Sequence, residues 1–394
     1  MGAVVAAAAA EMRRTGRCGG GGGGGGEKKG AKEEGVVVAA EAAAERGRRL
    51  RLVGYDELPD FLRDNEFIRG YYRAEWPLRD AALSAFSWHN ETLNVWTHLG
   101  GFLLFLALAL AGAAGDAAAD VAPGIIRFVV GSTNASWQTN DHSLQGEDMF
   151  ISFGVLEMPL LLSMYHWARR AMTPRRRQRR RRCWAAGTAC RGGRGWCFLV
   201  GAMTCLAISA TAHLLACHSR RASVVFWQLD YAGISAMIVA SFVPPVYYAF
   251  LCHRPARVAY LSAISALGAL VVGALLSPPC SSPRFRRLRA ALFLAMGLSG
   301  VVPALHALWL NWGHAACYLA LSLEVAMGLA YAAGAWFYVS RVPEKWRPGV
   351  FDVVGHSHQI FHVLVLVGAV THYVAVDVLL NWRETVAAAC SATS

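Results

Sequence analysis

FDVVGHSHQIFHVLVLVGAVTHY, residues 351–373, joins a pair of histidines to a long apolar run. Because His358 and His362 are four residues apart, a helix places them one turn apart on the same face. Two imidazoles in this arrangement can hold one metal ion when a third ligand comes from elsewhere in the chain. The same spacing occurs in hydrogen-bonded core histidines, so the pair predicts a metal site only if the remaining sequence supplies further ligands.

The composition predicts a membrane protein. Of the 394 residues, 55% are hydrophobic and 16% are charged, and the mean hydropathy is +0.34. Runs of about 20 apolar residues are long enough to cross roughly 30 Å of hydrocarbon. We therefore expect an all-α integral membrane protein, a bundle of seven transmembrane helices. The expected spans are residues 95–114, 197–216, 228–250, 258–277, 288–309, 316–339 and 358–380.

The charges between these spans predict the topology. Arg and Lys concentrate in every second break, at residues 220–221, 284–289 and 341–347, whereas the alternate breaks hold few of them. By the positive-inside rule, the N-terminus is then cytoplasmic and the C-terminus lies on the other side. The net charge of +12 comes largely from loop Arg, and no nucleic-acid motif accompanies it. We expect contact with anionic membrane lipid and no binding of nucleic acid.

Four segments lie outside the expected spans. Residues 1–48 combine an Ala run with a Gly tract and should be disordered. Residues 49–94 mix aromatic and charged side chains, which is typical of a cytoplasmic amphipathic region beneath the membrane part. Residues 115–196 form a long loop insertion, and residues 381–394 form a short C-terminal tail.

The insertion holds an apolar segment at residues 149–164, which contains Glu157 and Pro159. An eighth span here would reverse the charge pattern in one half of the chain, so we interpret the segment as interfacial or re-entrant. This places the Arg run at residues 175–182 on the non-cytoplasmic side. Long loops obey the charge rule poorly, which reduces that conflict.

Two more metal-competent residues lie at the same depth as the histidine pair. His213 stands near the end of the second span, and Asp230 stands near the start of the third. The chain leaves and re-enters the membrane on one side between these spans, and the seventh span enters from that side. Ionisable groups inside spans usually mark a site. The ten cysteines contain no CxxC pair, so we expect imidazole ligands and neither a disulfide framework nor a thiolate zinc site.

Three imidazoles leave a fourth zinc position open, as in catalytic zinc sites. Zinc would lower the pKa of a water there towards about 7, and Asp230 could serve as its general base. Asp230 could instead cap the third helix or pair with a loop Arg. Ser209, one turn before His213, could hydrogen-bond a ligand, a substrate oxygen or the site water, or simply pack between helices.

Other polar groups in the spans also have alternative interpretations. Glu324 and His306 could line a lipid cavity or relay protons, or they could form interhelical hydrogen bonds. Further polar residues occupy the start of the first span: Asn90, Glu91, Asn94 and His98. We expect them to form a structural network under the site, and contact with a ligand is the less favoured alternative.

Four stretches together resemble the progestin and adipoQ receptor family, and most closely its plant heptahelical members, which are related to adiponectin receptors and haemolysin III. They are FSWHNETLNVWTHL at residues 86–99, SATAHLLACHS at 209–219, LDYAGISAMIVASFVPPVYY at 229–248 and RVPEKWRPGVFDVVGHSHQIFHVLVLVGAVTHY at 341–373. The likeness covers about residues 55–110 and 196–385, and the insertion departs from the family pattern.

The resemblance implies seven helices with a cytoplasmic N-terminus and a zinc site near the cytoplasmic face. It implies that the zinc ligands are His213, His358 and His362, that Asp230 holds a water, and that Ser209 belongs to the site. The family is also similar to alkaline ceramidases, which implies hydrolysis of a lipid amide.

Two functions stay open on this basis. The first is a signalling receptor for a lipid or hormone-type ligand, in hormone or stress response, with residues 49–94 available to a cytoplasmic signalling partner. The second is a zinc-dependent, ceramidase-like hydrolase, for which Asp230 and Ser209 would be the catalytic residues. Either protein would lie in the plasma membrane or an endomembrane. A transporter has less support, because the sequence has no repeated half.

Overall fold

The structure, a computed structural model, describes residues 50–113, 195–277 and 283–386. Within these ranges, seven helices are long and apolar enough to cross a membrane. They are Thr92–Ala111, Gly195–Leu215, Arg220–Ala249, Arg254–Leu275, Arg286–Leu310, Ala315–Ser340 and Ser357–Arg383. The predicted all-α, seven-helix membrane fold is therefore confirmed. The expected disordered start, the apolar segment at 149–164 and residues 387–394 lie outside the described residues.

The α-helices of the described ranges are α1 Leu78–Leu83, α2 Thr92–Ala113, α3 Gly195–Leu215, α4 Arg220–Ala249, α5 Arg254–Leu275, α6 Arg286–Leu298, α7 Val301–Leu310, α8 Ala315–Ser340 and α9 Ser357–Val386. Helices α6 and α7 together make the fifth span. These ranges contain no named strand, and Val53 and Tyr72 form an isolated antiparallel bridge.

Helix α4 starts earlier than the hydropathy of its sequence predicts. The Ser219 side chain caps it by accepting a hydrogen bond of 3.4 Å from the amide of Ala222. The helix therefore begins at Arg220 and not near residue 228, because hydropathy marks only the apolar part of a helix. As a result, Asp230 stands well inside α4, and the interpretation of Asp230 as a helix cap is wrong.

Prolines lie inside the spans, and a disulfide-bonded cysteine lies between two spans. Pro244 and Pro245 lie inside an unbroken α4. The fifth span is interrupted between α6 and α7, just before Pro303. The ring of a proline clashes with the carbonyl four residues earlier, which accounts for the position of the break. Cys252, between α4 and α5, is disulfide-bonded, which the cysteine spacing does not predict.

Helix α9 packs along α8 and also contacts α2, α3 and α4. A shared core lies among these helices: Phe105, Leu108, Phe198, Leu206, Met237 and Ala369. The first turns of α9 meet the end of α3, where His358 contacts His213, and the start of α2, where His362 contacts the Asn94 carbonyl. This arrangement places the histidine pair of α9 next to the end of α3.

Residues 52–91, here called the juxtamembrane cap, pack against the loops at one end of the bundle. The Glu75 amide donates to the Cys217 carbonyl at 2.8 Å, just after α3, and the Gly349 amide donates to the Phe67 carbonyl at 3.1 Å, before α9. Arg286, at the start of α6, pairs with Asp64 at 2.7 Å. The cap thus contacts the three Arg-rich breaks of the bundle.

Candidate metal centre

Three histidines from two helices converge at the end of the bundle that the cap covers. His213 comes from the last turn of α3, and His358 and His362 come from the start of α9. One ring nitrogen of each lies within 4.8 Å of those of the other two. His213 and His362 are buried, and His358 is half-buried. The structure therefore brings together the three residues that the sequence predicts as metal ligands.

The hydrogen bonds of His213 and His362 use Nδ1 of each ring and leave Nε2 available to a metal ion. The Nδ1 of His213 donates to Oε2 of Glu91 at 2.7 Å, and the Nδ1 of His362 donates to the Asn94 carbonyl at 3.2 Å. Each of these rings then presents an unprotonated Nε2. The Nε2 atoms of His213 and His358 are 3.3 Å apart. Two nitrogens bound to one tetrahedral zinc, each at about 2.0–2.1 Å, lie roughly 3.3–3.4 Å from each other. The separation of these two nitrogens therefore suits zinc, and a nitrogen of His362 lies within 4.8 Å of both ligand atoms.

Asp230 and Ser209 lie beside the histidines and are both buried. Ser209 hydrogen-bonds the Asp230 side chain, so its described partner is that carboxylate. The Oδ1 atom of Asp230 is buried and has no hydrogen-bond partner among the described residues. Buried carboxylate oxygens of this kind are commonly satisfied by a water or an ion. This is a second observation that fits a hydrated metal at the site.

A cavity of about 180 Å³ reaches the site from the side of the cap. His213, Asp230 and His358 line it, together with cap residues that include Asp64 and Tyr72. Arg286 and Arg341 stand at the same cavity and pair with Asp64 and Glu66 of the cap. The candidate metal centre is therefore in contact with a polar space between the bundle and the cap.

Two residues at the site have contacts that spacing alone does not identify. Glu91 contacts His213, and the ring of His98 stacks on that of His362 with centroids 3.6 Å apart and planes within 6°. The spacing of Glu91, Asn94 and His98, at intervals of three and four residues, does predict that they share one helical face, but it does not predict their partners. These contacts agree with the expected polar network under the site.

The charge of Glu91 follows from its surroundings. Burial alone would raise the pKa of its carboxyl, but the neighbouring His213 and the Asn94 amide outweigh burial and hold that pKa below its usual range. The carboxylate is therefore ionised at neutral pH beside the candidate ligand.

Two polar groups of the spans lie away from this centre. The Glu324 carboxylate of α8 accepts a hydrogen bond from Nδ1 of His372 in α9 at 3.0 Å. His306 of α7 lies 2.9 Å from the hydroxyl of Tyr260 in α5. Both contacts join different helices, so the interhelical interpretation describes them better than a cavity lining.

Comparisons with known proteins agree with this architecture. The haemolysin-III-related family profile matches residues 194–373. Heptahelical transmembrane protein 3 of Arabidopsis thaliana is 46% identical over 346 residues, which is 85% of this chain and 89% of that protein. Heptahelical transmembrane protein ADIPOR1 of Oryza sativa subsp. japonica is 44% identical, over 86% of each chain. The adiponectin receptor protein of Drosophila melanogaster is 33% identical over 84% of this chain and 60% of its own length. With seven membrane helices and relatives at these identities, the chain belongs to the haemolysin-III-related, progestin and adipoQ receptor family of membrane proteins.

Proposed function

We propose that this chain is an adiponectin-receptor-like signalling receptor in which His213, His358 and His362 bind one zinc ion. The observation that supports the zinc site most directly is the 3.3 Å separation of the Nε2 atoms of His213 and His358. The receptor role is supported by the likeness to proteins named as adiponectin receptors. A bound zinc would tie α3 to α9, so that the site braces the bundle on the side of the cap.

The proposed receptor has a ligand, a membrane in which it acts and a cytoplasmic partner. A lipid or hormone-type ligand suits a membrane protein with this polar cavity, and a role in hormone or stress response follows from the receptor assignment. The site of action is the plasma membrane or an endomembrane. The region of residues 49–94 would meet a cytoplasmic signalling partner, because the cap contacts three loops at the metal end of the bundle.

One observation favours a second candidate, a zinc-dependent hydrolase of a ceramide-like lipid amide. Asp230 has a buried carboxylate oxygen without a described partner, next to the candidate metal ligands. Zinc would supply Lewis acidity at this position. Asp230 would take a proton from the attacking water as the C–O bond forms. It would then pass that proton to the amine as the C–N bond breaks. Ser209 would hold the Asp230 carboxylate in place.

Fatty-acid release from a ceramide panel by purified protein, with and without zinc, separates the two candidates. If the hydrolase is correct, Asp230→Asn should keep the zinc and lose about 10²- to 10⁴-fold in rate, because the general base is lost. If the receptor is correct, the wild-type protein releases no fatty acid and Asp230→Asn leaves the ligand response near the wild-type level. His213→Ala should disturb both metal content and function in either case.

A further inference from the structure

Glu91, the last residue of the juxtamembrane cap, contacts the ring of His213 at its Nδ1 atom. Its Oε2 atom accepts from Nδ1 of His213 at 2.7 Å. The same oxygen accepts from the Asn94 amide nitrogen at 2.6 Å, so the carboxylate is fixed from two directions. The His213 side chain is 1% exposed, which leaves it no other partner for Nδ1. The contact therefore sets both the tautomer and the rotation of the ring, with Nε2 facing His358.

Arg73, also in the cap, holds the backbone of the same residue. Its guanidinium donates to the His213 carbonyl at 2.7 Å and to the Leu214 carbonyl at 2.9 Å. Because α3 ends at Leu215, these carbonyls belong to the last turn and have no partner within the helix. A cation at a helix C-terminus is also favoured by the helix dipole. Arg73 is buried and is tied to Ser84 of the cap at 2.6 Å.

We propose that the juxtamembrane cap positions the metal ligand His213, through Glu91 at its ring and Arg73 at its backbone. This inference rests on the proposed zinc site and adds to it a part of the chain outside the membrane spans. Neither residue is one of the three proposed metal ligands, and both act through His213, so both are positioning residues. A partner that displaced the cap would then change the affinity of the site for its metal.

The bundle contains the same two contacts at a distance from the metal centre, which supplies matched controls. The pair of Glu324 and His372 repeats the carboxylate–imidazole contact at 3.0 Å. Arg383 repeats the helix-end contact, because it donates to the Tyr248 carbonyl at 2.7 Å and to the Ala249 carbonyl at 2.9 Å at the end of α4. Substitutions there remove similar bonds without touching His213.

The test is the zinc affinity of the purified full-length protein, measured by competition with a chelator, together with the visible absorption of the Co²⁺-substituted protein. Glu91→Gln should bind zinc about 10- to 100-fold more weakly, the usual cost of losing a charged partner of a metal-bound histidine. Glu91→Ala should bind it more weakly still, and the Co²⁺ spectrum should shift in both. Arg73→Lys, which keeps the charge but loses the planar fork, should also weaken binding. Glu324→Gln and Arg383→Lys should bind zinc as the wild type does.

Three outcomes would overturn the inference. Folded Glu91→Gln with wild-type zinc affinity and an unchanged Co²⁺ spectrum would remove Glu91 from the positioning role. Equal losses in Glu91→Gln and Glu324→Gln would show a general effect on the bundle. A wild-type protein that binds no zinc would overturn the proposed metal site as well, which distinguishes that failure from the first two. The melting temperature of the zinc-free form shows whether a variant folds. If Glu91→Ala does not fold, Glu91→Gln and Arg73→Lys test the inference.

Discussion

His89 is fully buried where the juxtamembrane cap meets α2, and only its neutral form fits there. Its Nε2 donates to the Ser84 carbonyl at 3.2 Å, and its Nδ1 accepts from the Glu91 amide at 3.1 Å. A second proton, on Nδ1, would place an N–H donor of the ring against the N–H donor of Glu91. Burial, together with the charge of Arg73, accordingly lowers the pKa of His89 from 6.5 to about 4.

Acid should therefore destabilise the folded protein through His89. The unfolded chain takes up this proton below about pH 6.5 and the folded chain only below about pH 4, so stability falls as the pH drops through this window. The loss is at most about 1.4 kcal/mol per pH unit. His89→Asn keeps an acceptor for the Glu91 amide but does not titrate, so this part of the pH dependence should disappear. Melting curves of both proteins between pH 4 and 7 measure the difference in their pH dependence. The other histidines are the same in both proteins, so their contributions cancel in this difference. Parallel pH profiles would contradict the assignment.

Among the residues of the site, the sequence predicts those that helical spacing or the order of the spans brings to one depth. His358 and His362 follow from helical spacing, and His213 and Asp230 follow from the order of the spans. The contact of Glu91 with His213 depends on how the start of α2 meets the end of α3, which is a property of tertiary packing. The stacking of His98 on His362 depends on the same packing between α2 and α9.

At the scale of the helices, α3 and α4 approach each other closely at Gly201. A Cβ atom on Gly201 would lie 2.5 Å from the Cβ of Ala240, which is far inside van der Waals contact. Small residues allow helices in membranes to approach closely, where dispersion contacts stabilise their pairing. Helices α3 and α4 also carry His213 and Asp230, so their packing brings these two residues near each other.

Gly201→Ala should lower the free energy of unfolding by about 1–3 kcal/mol, because α3 and α4 must move apart. Gly273→Ala in α5 is the control, since nothing lies within 4 Å of its added Cβ. In that helix, Ala should be neutral or stabilise by up to about 1 kcal/mol. Unfolding of both variants in mixed detergent micelles gives the comparison. Equal stability of the two variants would show that the contact at Gly201 relaxes without cost.

The helices themselves are largely predictable, and their ends are less so. Apolar runs identify all seven spans of the described part, because length and hydropathy suffice to recognise a helix in lipid. The early start of α4 depends on the Ser219 cap, which lies outside the apolar run. The interruption before Pro303 depends on whether neighbouring groups can satisfy the freed carbonyls, which a single span does not reveal.

For the whole molecule, the charge pattern predicts a cytoplasmic N-terminus and a C-terminus on the other side. The cap contacts the Arg-rich breaks, whereas the disulfide-bonded Cys252 lies in one of the Arg-poor breaks. Disulfides form in oxidising compartments, so Cys252 supports the same orientation. Protease protection of tags at the two ends should show the first tag in the cytoplasm and the second protected. Both tags on one side would mean that the insertion contains an eighth span.

The central claim is that three imidazoles from α3 and α9 hold one zinc ion. Metal analysis of the purified protein, alongside its melting temperature, tests this claim most directly. The wild type should contain about one zinc per chain. His358→Ala and His362→Ala should each lose metal and thermal stability together, because a site that bridges two helices couples binding to folding. Full zinc occupancy in the double variant of His358 and His362 would contradict the account.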